Sequence, residues 1–149
     1  MTARTTAGTT TRAGARAKVE KTDILFAVMG APHASDQTTT LLRLIQATSD
    51  AGGRVGVWTC GYATMLTQAS LGETKPRNVL DWRGHYPSTA AIIGGLLAEH
   101  GESVHWSACR FCGEERGVTE HIPAVRVRAP FAFADHVRAA TKTMFLGVI

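Results

Sequence analysis

The 149-residue chain, 44% hydrophobic and 19% charged, is long enough to bury one core and too short for several domains. Its net charge of +4 does not mark a nucleic-acid surface, because residues 1 to 21 hold Arg4, Arg12, Arg16, Lys18 and Lys21 against Glu20 alone, which leaves eleven basic and eleven acidic side chains elsewhere. The apolar runs Ile24 to Met29 and Met144 to Ile149 are too short to cross a bilayer and the start lacks an apolar signal core, so the expectation is a soluble cytoplasmic protein with no membrane or nucleic-acid partner.

Residues 1 to 21, rich in Thr, Ala, Gly and Arg, have almost nothing to bury and read as a disordered basic tail ahead of a single domain over 22–149. The run Asp23 to Met29 is continuously apolar, as in a strand covered on both faces. Ser35-Asp36 then offers an N-cap to a helix carrying Leu41, Leu42, Leu44, Ile45 and Thr48, which Gly52-Gly53 stop. A second strand, Arg54 to Thr59, ends at Cys60, and Met65, Leu66 and Ala69 share one face of a short helix over 63–71.

Between Gly72 and Pro87 the periodicity breaks into a long loop with Trp82, His85 and Tyr86, of the kind used for interfaces or lids. Ser88 caps the next helix, with a stripe of Ile92, Ile93, Leu96 and Leu97 closed by His100 and Gly101. The mid-helix pair Gly94-Gly95 costs helix stability and suggests a backbone passing close by or a subunit contact. A third strand, Ser103 to Ala108, delivers Cys109, and a short helix through Cys112 to Arg116 stops at Gly117. Ala124 to Arg128 reads as a short edge strand, Pro130 opens a helix with Phe133, Val137 and Ala140, and Thr143 to Val148 forms the last strand.

Five strands alternating with helices imply a mainly parallel sheet in a three-layer α/β/α sandwich of the flavodoxin-like class, because parallel neighbours need right-handed crossovers. Strand order does not follow from the pattern. In such sheets, reactive groups gather at the carboxyl ends of the strands, and all three cysteines fall there.

Three cysteines cannot form a paired disulfide framework, so their value is chemical or packing. Cys60 reads first as a small buried hydrophobe. Cys109 is the stronger nucleophile candidate, since a helix start lowers a thiol pKa and favours the thiolate. Cys112 lies one turn on, and Arg116 either folds its guanidinium back toward the thiolate or caps carbonyls. His105, four residues up an extended strand, is out of reach of Cys109, whereas His33 and His121 lie on loops able to converge on the site.

The stretch Cys109-Arg-Phe-Cys112-Gly-Glu-Glu-Arg116-Gly117, a C-x-x-C-x-x-x-R-G pattern at the end of the third main strand, resembles the DsrE/DsrF-like sulfur-relay family. The resemblance implies a sulfane sulfur carried as a persulfide on Cys109 and handed to a partner, with Cys112 and Arg116 in support and no cofactor. It further implies donor and acceptor proteins as partners and assembly as a homotrimer or hexamer. Cys60 and the aromatic loop are outside that pattern.

A zinc site from Cys60, Cys109 and Cys112 with His33 or His121 is the first rival, and a non-catalytic binding or regulatory subunit on the same fold is the second. No glycine-rich phosphate loop follows the first strand, which argues against nucleotide binding, and the late C-x-x-C fits a thioredoxin-like oxidoreductase poorly.

Overall fold

Continuous apolar runs need partners on both faces, and five strands meet that need side by side: β1 (Thr22–Met29), β2 (Val55–Thr59), β3 (Val104–Cys109), β4 (Arg126–Arg128) and β5 (Ala140–Gly147). The structure is a computed structural model that describes residues 18–33, 36–75 and 80–147, so most of the basic tail expected from the sequence lies outside the described residues. The strands are parallel in the order β4-β3-β2-β1-β5. Three successive crossovers run one way and the last returns across the sheet to the far side of β1.

That order decides where the helices lie. Right-handed crossovers moving in one direction place their helices on one face, and the reversed connection places its helix on the other. On the first face α1 (Gln37–Asp50) presents Leu41 and Ile45, and α2 (Thr89–His100) presents Ile93 and Leu97. They pack on Phe26, Val28, Val55, Val57, Val104 and Trp106 in the main core. The second face holds a thinner cluster, in which Leu25, Trp58 and Cys109 pack against Phe133 and Val137 of α4 (Phe133–Ala139). This is the expected three-layer α/β/α sandwich of flavodoxin-like type.

Local differences from the sequence reading have local causes. The segment expected as a helix over 63–71 forms two 3-10 turns, Gly61–Thr67 and Ala69–Leu71. Ala63 with Leu66 and Thr64 with Thr67 are buried at a spacing of three, and the Thr64 hydroxyl donates to the Gly61 carbonyl at 2.8 Å, which favours the tighter winding. Asp36 occupies the N-cap of α1 but makes no side-chain cap, because its backbone (φ −75°, ψ 7°) is not the extended form that aims a carboxylate at the first N–H groups. Ser88 does cap α2, accepting from the Ala91 N–H at 3.1 Å. Ala140, expected at the end of the last helix, instead opens β5, paired with Thr22.

At the N-terminal side, Lys18 to Lys21 do not behave as free tail. Glu20 bridges His105 and Arg126, tying the segment to β3 and β4. No helix among the described residues is long and apolar enough to cross a membrane.

Among the described residues, no backbone closes on the glycine pair of α2. A methyl group at Gly95 meets nothing within 4 Å, and one at Gly94 meets only Ile122 Cδ1 at 3.7 Å. Gly95→Ala is therefore expected to stabilise the monomer by roughly 0.5–1 kcal/mol in urea unfolding. A clear loss would mean that another molecule packs against that turn.

Candidate functional site

The sheet register brings the cysteines together before any side chain is considered. Ala27, Trp58 and Ser107 are neighbours across β1, β2 and β3, with side chains on the second face. Two residues further, where the pleat returns to that face, stand Cys60 and Cys109. Cys112 comes over them from α3 (Arg110–Glu114), whose N-cap residue is Cys109 itself. The three sulfurs lie within 4.8 Å of one another, and Cys60 Sγ is 3.2 Å from Cys112 Sγ.

Backbone geometry makes the approach possible. Cys60 is extended (φ −135°, ψ 163°), and its N–H donates to the Val28 carbonyl at 2.9 Å, which fixes it to the end of β1. Gly61 then turns into the left-handed region (φ 59°), which a side chain would resist, and its N–H faces the sulfurs of Cys60 and Cys112. α3 ends early, and the chain turns through Gly117 (φ 71°), with the Val118 N–H donating to the Gly113 carbonyl at 2.9 Å.

These surroundings divide the thiols electrostatically. Burial pushes Cys60 up, and its hydrogen bond to Cys112 and the charges of Cys112 and Cys109 push it further, to about 12. Burial also raises Cys109, which is only 2% exposed among Leu25 and Trp58. The Cys112 N–H does aim at the Cys109 sulfur, the effect anticipated for a helix start, but burial outweighs it. Cys112 goes the other way. Burial opposes its ionisation, yet the Gly61 N–H, the thiols of Cys60 and Cys109, and the Arg116 guanidinium together hold it below the ordinary thiol value.

Arg116 combines the two roles that the sequence left open. Its Nη1 donates to the Cys112 carbonyl at 3.1 Å and to Glu115 Oε2 at 3.1 Å, while its charge favours the Cys112 thiolate. The guanidinium also lies 4.7 Å from the centre of the Tyr62 ring, a cation–π contact that holds it over the site. Tyr62 and Gly61 escaped the sequence reading; the available signal was a glycine placed directly after a cysteine that ends a strand.

Neither loop histidine joins the sulfurs in a metal-type cluster. His121 Nδ1 pairs with the Thr67 hydroxyl at 2.9 Å, and burial lowers its pKa. His33 lines a mostly apolar cavity of about 330 Å³ with Pro32, Tyr62, Met65 and Leu71, beside the cysteines rather than among them. His105 is occupied by Glu20, away from Cys109 as its strand position requires.

The fold is similar to that in the crystal structure of the YchN protein from E. coli, with a TM-score of 0.64 and 17% sequence identity over 86% of this chain and 100% of that one. At that identity the likeness shows the fold alone. No protein-family model and no curated protein matches the sequence.

Among the three thiols Cys112 should react first with iodoacetamide, with a rate that rises at a lower pH than for an ordinary thiol, because a depressed pKa leaves more thiolate at neutrality. Arg116→Gln removes a favourable charge, so its rate–pH curve should shift upward and labelling at neutral pH should slow several-fold. Labelling followed by peptide mass spectrometry reads both. Faster labelling of Cys109 than of Cys112 would contradict this order.

Proposed function

We propose that this chain is a sulfur-relay protein of the DsrE-like type that carries sulfane sulfur on the cysteine cluster, with Cys112 as the thiol that takes it up. The observation that carries the reading is the division of charge at the end of β3: one partly accessible thiol held toward thiolate, against two held protonated. The C-x-x-C-x-x-x-R-G stretch and the YchN-like fold support the family, and Arg116 of that stretch donates to the Cys112 carbonyl while its charge favours the Cys112 thiolate.

The chemistry is thiol exchange. The Cys112 thiolate attacks the outer sulfur of a donor persulfide, forming Cys112–S–SH as the donor leaves as its thiol. An acceptor thiolate then attacks that outer sulfur and displaces the Cys112 thiolate, restoring the site. Cys109, the carrier expected from the sequence, is too buried to meet a macromolecular donor directly. It supports Cys112 as a hydrogen-bond donor.

Donor and acceptor proteins are the partners this reading requires, and three free thiols suit a reducing compartment such as the cytoplasm. Self-association into a trimer or hexamer is supported by β5, an edge strand that leaves Phe145 61% exposed.

A second reading is favoured by the same closeness of the sulfurs: three thiolates within 4.8 Å suit a thiophilic ion such as zinc, with an open fourth position. Equimolar zinc retained after dialysis, and lost in Cys60→Ser, is its expected mark.

Intact-mass spectrometry after exposure to inorganic polysulfide should show the reduced chain gaining one sulfur. Cys112→Ser should abolish the gain, and Arg116→Gln should slow it several-fold. A gain undiminished in Cys112→Ser would remove the assignment.

A further inference from the structure

We infer that Cys60 is the resolving thiol of this site: it attacks a sulfur-loaded Cys112, releases hydrogen sulfide and closes a Cys60–Cys112 disulfide between the end of β2 and α3. This rests on Cys112 carrying sulfur, and it places the internal partner outside the C-x-x-C pair.

Proximity is the first argument. Cys60 Sγ is already 3.2 Å from Cys112 Sγ, so each sulfur has to move by well under an ångström or so to approach the ~2.05 Å bond length. Nucleophile and target are held at near-attack distance before the reaction begins. Their anchors differ: Cys60 is tied by its N–H to Val28, whereas Cys112 sits on a five-residue helix followed by turns.

Direction is the second. Cys60 lies against the inner sulfur of a loaded Cys112, the one bonded to the side chain. Attack there, in line with the S–S bond, sends the outer sulfur out on the opposite side. Cys60 is half-buried with its sulfur 3.2 Å from that of Cys112, while Cys109, within 4.8 Å of the same sulfur, is buried and packed among Leu25 and Trp58.

The step balances without an added oxidant. Cys112–S–SH and Cys60–SH give Cys60–S–S–Cys112 and H₂S: the bond between Cys112 Sγ and the sulfane sulfur breaks as the Cys60–Cys112 bond forms. The Cys60 proton leaves with the sulfide. The sulfane sulfur is reduced to sulfide as the two cysteine sulfurs become a disulfide. Loading moves the charge on Cys112 outward by one sulfur, which weakens one of the effects that hold Cys60 protonated, while burial, the largest of them, remains.

The consequence is a timed outcome. A loaded molecule that meets an acceptor transfers its sulfur, and one that waits discharges it as sulfide and locks itself until a thiol reductant reopens it.

The test loads the reduced full-length chain with inorganic polysulfide, removes the excess, and follows intact mass and sulfide release with no acceptor present. Decay is counted only from molecules that carry sulfur. The wild type should lose the added sulfur together with two hydrogens and release one sulfide per chain. Trypsin cuts at Arg110, between Cys109 and Cys112, so the peptide map distinguishes the pairs; it should join the Cys60 and Cys112 peptides. In Cys60→Ser and Cys60→Ala the loaded form should persist at least about tenfold longer, as loss of an intramolecular nucleophile implies. A Cys109–Cys112 crosslink, or unchanged decay in both Cys60 variants, would overturn the assignment of Cys60 and leave sulfur carriage intact. A wild-type chain that never gains sulfur would overturn both.

Discussion

Three sulfurs within 4.8 Å of one another disfavour more than one negative charge, and the site is organised around that constraint. Two thiolates 3.2 Å apart repel by about 5 kcal/mol at an effective dielectric near 20, a value that solvent at this half-exposed site reduces but does not abolish. The first proton to leave therefore suppresses the second. Which sulfur ionises is decided by its donors: Cys112 faces the Gly61 N–H, two thiols and Arg116, whereas Cys60 and Cys109 each become donors to it. The fold thus biases one thiol toward its thiolate and the other two toward their protonated forms.

The sheet makes this limit unavoidable. Parallel register places Cys60 and Cys109 side by side at the ends of neighbouring strands, both facing the layer that α4 covers thinly. Gly61 turns the chain at once after β2 and α3 starts at once after β3, so neither cysteine is displaced by a loop. Arg116 completes the arrangement from the far end of the motif, held by the Cys112 carbonyl and the Tyr62 ring.

Alternating apolar runs and capped helical stripes made the α/β sandwich legible from the residues, since strands buried on both faces have few other solutions. Strand order was not legible: nothing local to β5 shows that it pairs with β1, as this depends on the direction of the last crossover. Cys109, Cys112 and Arg116 were recognisable because they stand in one short stretch. Cys60 was underrated because its neighbours in space are 52 residues away along the chain. The acidity expected of Cys109 differs from what its surroundings favour for the same kind of reason. A helix start is visible in sequence, but the wall of Leu25 and Trp58 that buries Cys109 is assembled from two other strands.

A lowered thiol pKa has opposing consequences for a carrier. It raises the fraction of thiolate at neutral pH but weakens each thiolate as a nucleophile, and it makes the same sulfur a better leaving group. In a sulfur relay of the proposed kind, uptake would gain less from the tuning of Cys112 than release to an acceptor, because displacement of Cys112 benefits from every donor that stabilises it. Under the proposed function, such a site would favour turnover over storage. Storage would be further shortened if Cys60 stands in contact with the loaded sulfur, and the two effects have one structural source: the groups that stabilise the empty thiolate surround the sulfur at close range, and two of them are themselves thiols.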